Sequence, residues 1–275
     1  MKTLRAPSFL VFLLLLAGCY TVPETGRSAF TLIPESQMAG LGASGFNDVK
    51  RSSKLITSGE RYEQVQRVMK RIVSQTGSDI PHAQWEAILI EDDSINAWAM
   101  PGGKIGVNTG LFRVTQTEDE LAFVMGHEVA HVAARHASQR ISQALLIAGV
   151  AVGLDLATRD WESGDRAILL GLYGIGTTAG VALPFSRANE READYIGLLY
   201  MARAGYDPRV APGVWGKMAA AGGASLPQWL STHPSHEDRE RRLNEWMPEA
   251  LLEYERATGK KLEMEKEAYE QFTRG

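Results

Sequence analysis

The sequence predicts an α+β fold, mostly α, with a small β-sheet beside one central helix. Two observations carry that expectation. Apolar residues recur at helical spacing around Gly126-His127-Glu128-Val129-Ala130-His131 and along much of the chain, whereas residues 85–107 have the branched, alternating content of short strands joined by a Pro-Gly-Gly turn. With 275 residues, 44% of them hydrophobic, the chain can bury a sizeable core in one large domain or two small ones. A net charge of −4 gives no reason to expect nucleic acid as a partner. Cys19 is the only cysteine, which excludes an intramolecular disulfide and a cysteine-built metal site.

Taken in order, the chain opens with Lys2 and Arg5, an apolar run from Phe9 to Leu16, and then Leu16-Ala17-Gly18-Cys19. This start resembles the signal segment and lipobox of bacterial lipoproteins. The resemblance implies cleavage of residues 1–18 and acylation of Cys19 with more than one chain, enough for stable anchoring. Tyr20 in place of Asp after the cysteine implies the outer membrane, with the protein facing the periplasm. An ordinary cleaved signal peptide or an N-terminal membrane anchor is the alternative.

Residues 19–34, with Pro23, Gly26 and Pro34, read as an extended tether. Residues 35–58 are loosely helical in pattern. From Gly59 the spacing of Tyr62, Val65, Val68, Met69 and Ile72 predicts a helix closing at Gly77. Trp85–Ile90 is a strand candidate and Ile95–Ala99 a second. Pro101-Gly102-Gly103 then turns the chain into an alternating strand through Val107. Such a hairpin, just ahead of the central helix, can offer an edge strand to an extended peptide, or the two glycines merely make a turn.

Thr117-Glu118-Asp119-Glu120 has capping-box spacing, followed by Leu121, Val124 and Met125 as an apolar face, so the central helix starts near residue 117. His127 and His131, four apart, lie about 40° from each other around a helix and about 6 Å apart along it, so both imidazoles can reach one metal ion. Glu128, one position past the first histidine, sits where its carboxylate can act as general base rather than as a ligand. His136 falls about 140° around the same helix from His131, which makes it structural or surface.

Two uncharged apolar runs follow, Ile141–Leu154 and Ala167–Phe185, the second interrupted by glycines. They read either as a hairpin packed over the site or dipping into a membrane surface, or as a transmembrane pair. A catalytic zinc needs three protein ligands, and the third comes best from Ser186-Arg187-Ala188-Asn189-Glu190-Arg191-Glu192-Ala193-Asp194, the opening of a helix to about Ala204. Glu190 and Asp194 share a face and Glu192 points away. Glu190 has the reach to coordinate, and Asp194 suits a hydrogen bond to a ligand imidazole that fixes its tautomer.

Together with Asn96-Ala97-Trp98-Ala99-Met100-Pro101-Gly102-Gly103 and Ser231-Thr232-His233-Pro234-Ser235-His236 with Arg239, these motifs resemble a zinc metallopeptidase family over about residues 35–247. That family includes the CAAX prenyl proteases, the heat-shock protease HtpX and the mitochondrial Oma-type proteases. The resemblance implies a zincin-like metalloprotease domain spanning 35–247 and one Zn²⁺ per subunit held by His127, His131 and Glu190. It also implies Glu128 as the catalytic base and Asp194 behind a ligand. His233 is a candidate fourth ligand or switch; the alternative is that Thr232 and Pro234 start a helix, with His233 and His236 at the surface. Arg239 is a candidate contact to substrate or transition state, or a partner of a neighbouring carboxylate.

Residues 248–275 form a highly charged C-terminal tail that reads as a solvated helix with one docking stripe, Leu251, Leu252, Tyr254 and Leu262, or as a partly disordered segment. The function expected is that of a lipid-anchored zinc endopeptidase acting on misfolded or misassembled envelope proteins. The alternative is an envelope assembly factor or chaperone, partnered with assembly machinery, whose protease activity is latent.

Overall fold

A computed structural model describes residues 19–77, 80, 83–159, 183–221, 233 and 238–262. The order of elements is β1 (Cys19–Thr21), β2 (Ser28–Phe30), α1 (Glu35–Ser52), β3 (Leu55–Ile56), α2 (Glu60–Val73), β4 (Glu86–Ile90), β5 (Ala97–Met100) and β6 (Lys104–Asn108). Then follow α3 (Glu118–Ala133), α4 (His136–Ala157), α5 (Leu183–Arg203), α6 (Ala211–Ala221) and α7 (Arg239–Thr258). The fold is mostly helical with a small mixed sheet, as the patterning predicts.

That sheet runs β3-β4-β6-β5. β4 and β6 are parallel, with Ile88 opposite Gly106, and the β5–β6 hairpin is antiparallel. Gly102 and Gly103 close that hairpin at φ 81° and 83°, a region that side-chain-bearing residues rarely adopt. β6 is buried along its whole length, while β5 is left at the sheet edge.

α3 is the centre of the molecule. Its Thr117 cap and Glu120 exchange hydrogen bonds at 3.2 and 3.1 Å, so the capping box expected from the sequence forms. Leu121, Phe123, Val124, Met125 and Val129 are fully buried against the sheet, α2 and α5. The helix stops at a point the periodicity does not reveal: Arg135 takes a left-handed conformation at φ 56°, and α4 departs from there. His136 therefore opens a new helix rather than extending the old one. It is buried, so of the two expected placements, structural or surface, it takes the structural one.

Two boundaries also differ from expectation. Within residues 19–34, where an extended tether was expected, residues 19–30 form a β1–β2 hairpin: Val22 and Ala29 enter the core, and the Tyr20 hydroxyl donates to the Ala133 carbonyl at 2.8 Å. The charged stretch after residue 247 does not begin a separate tail, because α7 runs through Pro248 and buries Leu243, Met247, Ala250 and Leu251 as one stripe. Residues 263–275 lie outside the described residues.

Of the two apolar runs, the first is α4, whose Leu145, Val152 and Leu156 are 51%, 59% and 61% exposed. By length and composition α4 could cross a membrane. Most of the second run, residues 167–182, lies outside the described residues, so the pairing of the two runs stays an expectation.

Candidate metal centre

The site forms where α3 and α5 cross with almost no side chain between them. Gly126 of α3 faces Gly197 of α5, and a Cβ on Gly197 would lie 2.7 Å from the His127 backbone nitrogen. That contact lets α5 bring two carboxylates onto the histidine face of α3.

His127, His131, Glu190 and His233 each offer one ligand atom, and these atoms all lie within 4.8 Å of one another. The Nε2 atoms of His127 and His131 are 3.1 Å apart. Glu190 reaches His127 Nε2 at 3.3 Å and His131 Nε2 at 3.5 Å. His233 Nδ1 stands 3.2 Å from His127 Nε2 and 3.0 Å from Glu190 Oε2. Ligands about 2.0–2.1 Å from one tetrahedral ion stand about 3.3–3.4 Å from each other, so this donor set has the size and the nitrogen–oxygen chemistry to hold a divalent metal. His233 also lies 3.3 Å from Glu128, so it bridges the carboxylate beside the site and the carboxylate within it.

Behind the ligand atoms is a charged scaffold. Asp194 Oδ1 is 3.0 Å from His127 Nδ1, the contact expected of it. Arg239 grips Asp194 with two donors, at 2.7 and 2.6 Å, and reaches Glu190 at 3.4 Å. Its guanidinium lies 3.3 Å from the Trp215 ring centroid and is 4% exposed. Arg239 is thus committed to the site's own carboxylates. Of the two roles expected for it, partner of a neighbouring carboxylate is the one these contacts match.

These contacts set the protonation of the site. Burial alone would lower the pKa of His127, but Asp194 and Glu190 outweigh it and push the imidazole up to about 9. His131 goes the other way, held well below its ordinary value by burial and by the neighbouring histidines. Burial would raise Glu190, yet the facing imidazoles pull it below the usual carboxylate range. Asp194, likewise opposed by burial, is lowered by Arg239 and His127.

An open cleft of about 180 Å³ leads to the ligand atoms. Glu128, His131, Glu190 and His233 form its floor, and Asn96, Trp98, Ala99 and Pro101 of the edge-strand region form one wall. Sequence reasoning located His127, Glu128, His131, Glu190, Asp194 and His233, which the structure brings together. It missed the partners of Glu192: this residue points away from the ligand atoms, as expected, but lies 3.0 Å from the His136 imidazole. It also missed Trp215, for which no local signal exists.

The sequence profile of peptidase family M48 matches residues 60–247. The mitochondrial metalloendopeptidase OMA1 of Arabidopsis thaliana is 36% identical over 224 residues, 81% of this chain and 44% of that protein. Its namesake in Schizosaccharomyces pombe is 40% identical over 194 residues, 70% of this chain and 54% of that one. The beta-barrel assembly-enhancing protease of Escherichia coli is 31% identical over 229 residues, 80% of this chain and 45% of its own. The chain spans about half the length of these curated relatives.

Proposed function

The chain belongs to peptidase family M48, and from that premise we propose that it is a zinc-dependent metalloendopeptidase. The observation that carries the reading is the convergence of His127 Nε2, His131 Nε2 and the Glu190 carboxylate at 3.1–3.5 Å from one another. His127, His131 and Glu190 hold the ion, and Asp194 fixes the imidazole of His127. When bound, zinc polarises the scissile carbonyl and lowers the pKa of an attacking water. Glu128 takes that water's proton on its carboxylate and later passes it to the nitrogen of the leaving amine. An extended polypeptide pairing with the outer edge of β5 would be carried along Trp98 and Ala99 across the cleft, its carbonyl held near Glu128.

In the same reading His233 is a fourth donor that closes the site at rest, supported by its 3.0 Å approach to Glu190 and 3.3 Å approach to Glu128. Cys19 is the lipid attachment site, supported by the Leu16-Ala17-Gly18-Cys19 stretch and by its exposed position at the start of β1. The substrates are misfolded or misassembled envelope proteins on the periplasmic side of an outer membrane. The name of the E. coli relative, which couples a protease to β-barrel assembly, supports that substrate class and a partner in assembly machinery.

Glu128→Gln is the decisive variant. It is expected to keep zinc and to lose casein cleavage by about 10²-fold or more, as loss of a general base does; cleavage at the wild-type rate by the pure variant would refute the assignment. A second reading, a client-binding assembly factor with latent hydrolysis, is favoured by the closed position of His233. It predicts that Glu128→Gln still supports envelope assembly in the cell.

A further inference from the structure

The two histidines of α3 are supported differently. His127 has Asp194 directly behind its Nδ1. Among the described residues no carboxylate stands there for His131; its Nδ1 faces another imidazole, His136 Nδ1, at 2.9 Å. His136 in turn places Nε2 3.0 Å from Glu192 Oε2. Both His136 and Glu192 are buried, 2% and 8% exposed. Glu192 is held from the N-terminal hairpin: the Thr25 hydroxyl donates to Oε1 at 2.6 Å, and Arg27 Nε donates to the same oxygen at 2.9 Å.

With His136 neutral, donor and acceptor accounting along this row has one consistent solution. An ionised carboxylate only accepts, so His136 Nε2 carries the proton and donates to Glu192. Neutral His136 then has a lone pair on Nδ1, which accepts from His131, so His131 carries its proton on Nδ1. His131 is left with its Nε2 lone pair aimed at His127 and Glu190, the tautomer a ligand needs. The left-handed turn at Arg135 makes this possible, because on a continuous helix His136 would face away from His131.

We propose that His136 and Glu192, clamped by Arg27 and Thr25, form a positioning relay that fixes the tautomer and ring orientation of His131 for metal binding, so that the N-terminal hairpin supports the metal site. The inference rests on the metal reading above and extends it to four residues outside the ligand set. A carboxylate behind a ligand imidazole raises its basicity, and loss of such support typically costs about 10–100-fold in metal affinity.

The test uses the full chain, purified in detergent, with zinc as the probe and affinity read by competition with a chromogenic chelator. His136→Leu is expected to lose about 10–100-fold in zinc affinity. His136→Gln, whose amide can accept from His131 and donate to Glu192, is expected to recover most of that loss, which a merely space-filling role would not produce. On the wild-type protein loaded with zinc, ¹⁵N histidine spectra are expected to show His131 protonated on Nδ1 and His136 on Nε2. That readout needs no variant to fold. Wild-type affinity in His136→Leu, equal losses in both variants, or a proton on His136 Nδ1 overturns the relay while leaving the metal reading standing. Failure of the wild-type chain to bind zinc overturns the metal reading, and the relay with it.

Discussion

In the proposed reading His127, Glu128, His131 and Glu190 carry the chemistry, and the metal-holding groups among them depend on what stands behind them. His127 shows this most clearly: its imidazole sits between Asp194 and Glu190, whose charges hold it at about 9 against the opposing effect of burial. In turn, Arg239 offsets the carboxylates, which burial would otherwise keep protonated. That His127 and His131 share one helix face, and Glu190 and Asp194 another, was legible because helical spacing decides it, whereas the meeting of the two faces was implied only by the family resemblance. The partnership of His136 was not legible, since one left-handed residue at Arg135 redirects it and nothing in the local sequence signals that conformation. His233 is the residue whose role is tested most simply. If it closes the site at rest, His233→Ala raises casein cleavage about tenfold or more, a removal of roughly 1.4 kcal/mol of closure. Unchanged or lower cleavage with zinc still bound would assign His233 a structural part instead.

Among the elements, the α3–α5 crossing matters most. Its geometry depends on two glycines, and neither stood out beside the charged motifs. A methyl group at residue 197 would meet the His127 nitrogen at 2.7 Å, backbone against side chain, with no flexible neighbour to give way. Gly197→Ala is therefore expected to lose about 1–3 kcal/mol of stability, the usual cost of overpacking, and to weaken zinc binding as Glu190 moves off the histidine face. Thermal melting and chelator competition check it; a melting temperature equal to wild type would show that the helices separate at no cost. The capping box before α3 and the Pro-Gly-Gly hairpin were readable because their signals are local. The hairpin at residues 19–30 was not, because Pro23 and Gly26 suggest a linker and only tertiary contacts bury Val22 and Ala29. The later half of α7 was readable as a helix with one apolar stripe; its continuity with the residues before Pro248 was not, because a proline inside a charged run reads as a boundary.

At the scale of the whole molecule, the replacement of a tether by a packed hairpin bears on the proposed lipid anchor. With β1 starting at Cys19, a lipid on that cysteine would hold the folded domain directly against the bilayer. The same hairpin contacts α4, where the Ser142 hydroxyl accepts from the Leu32 amide at 2.8 Å, and α4 presents most of its apolar surface outward. Palmitate-analogue labelling in cells is expected to mark the wild-type chain and not Cys19→Ser; label surviving that substitution would remove the lipid anchor from the account. The most direct test of the central claim is the zinc content of the purified chain, measured per polypeptide for wild type and for Glu190→Ala after dialysis against a moderate chelator. The account predicts one zinc per wild-type chain and loss of that zinc from the variant. Retention by Glu190→Ala of as much zinc as the wild type would contradict it, since the carboxylate from α5 would then not complete the site that the α3 histidines begin.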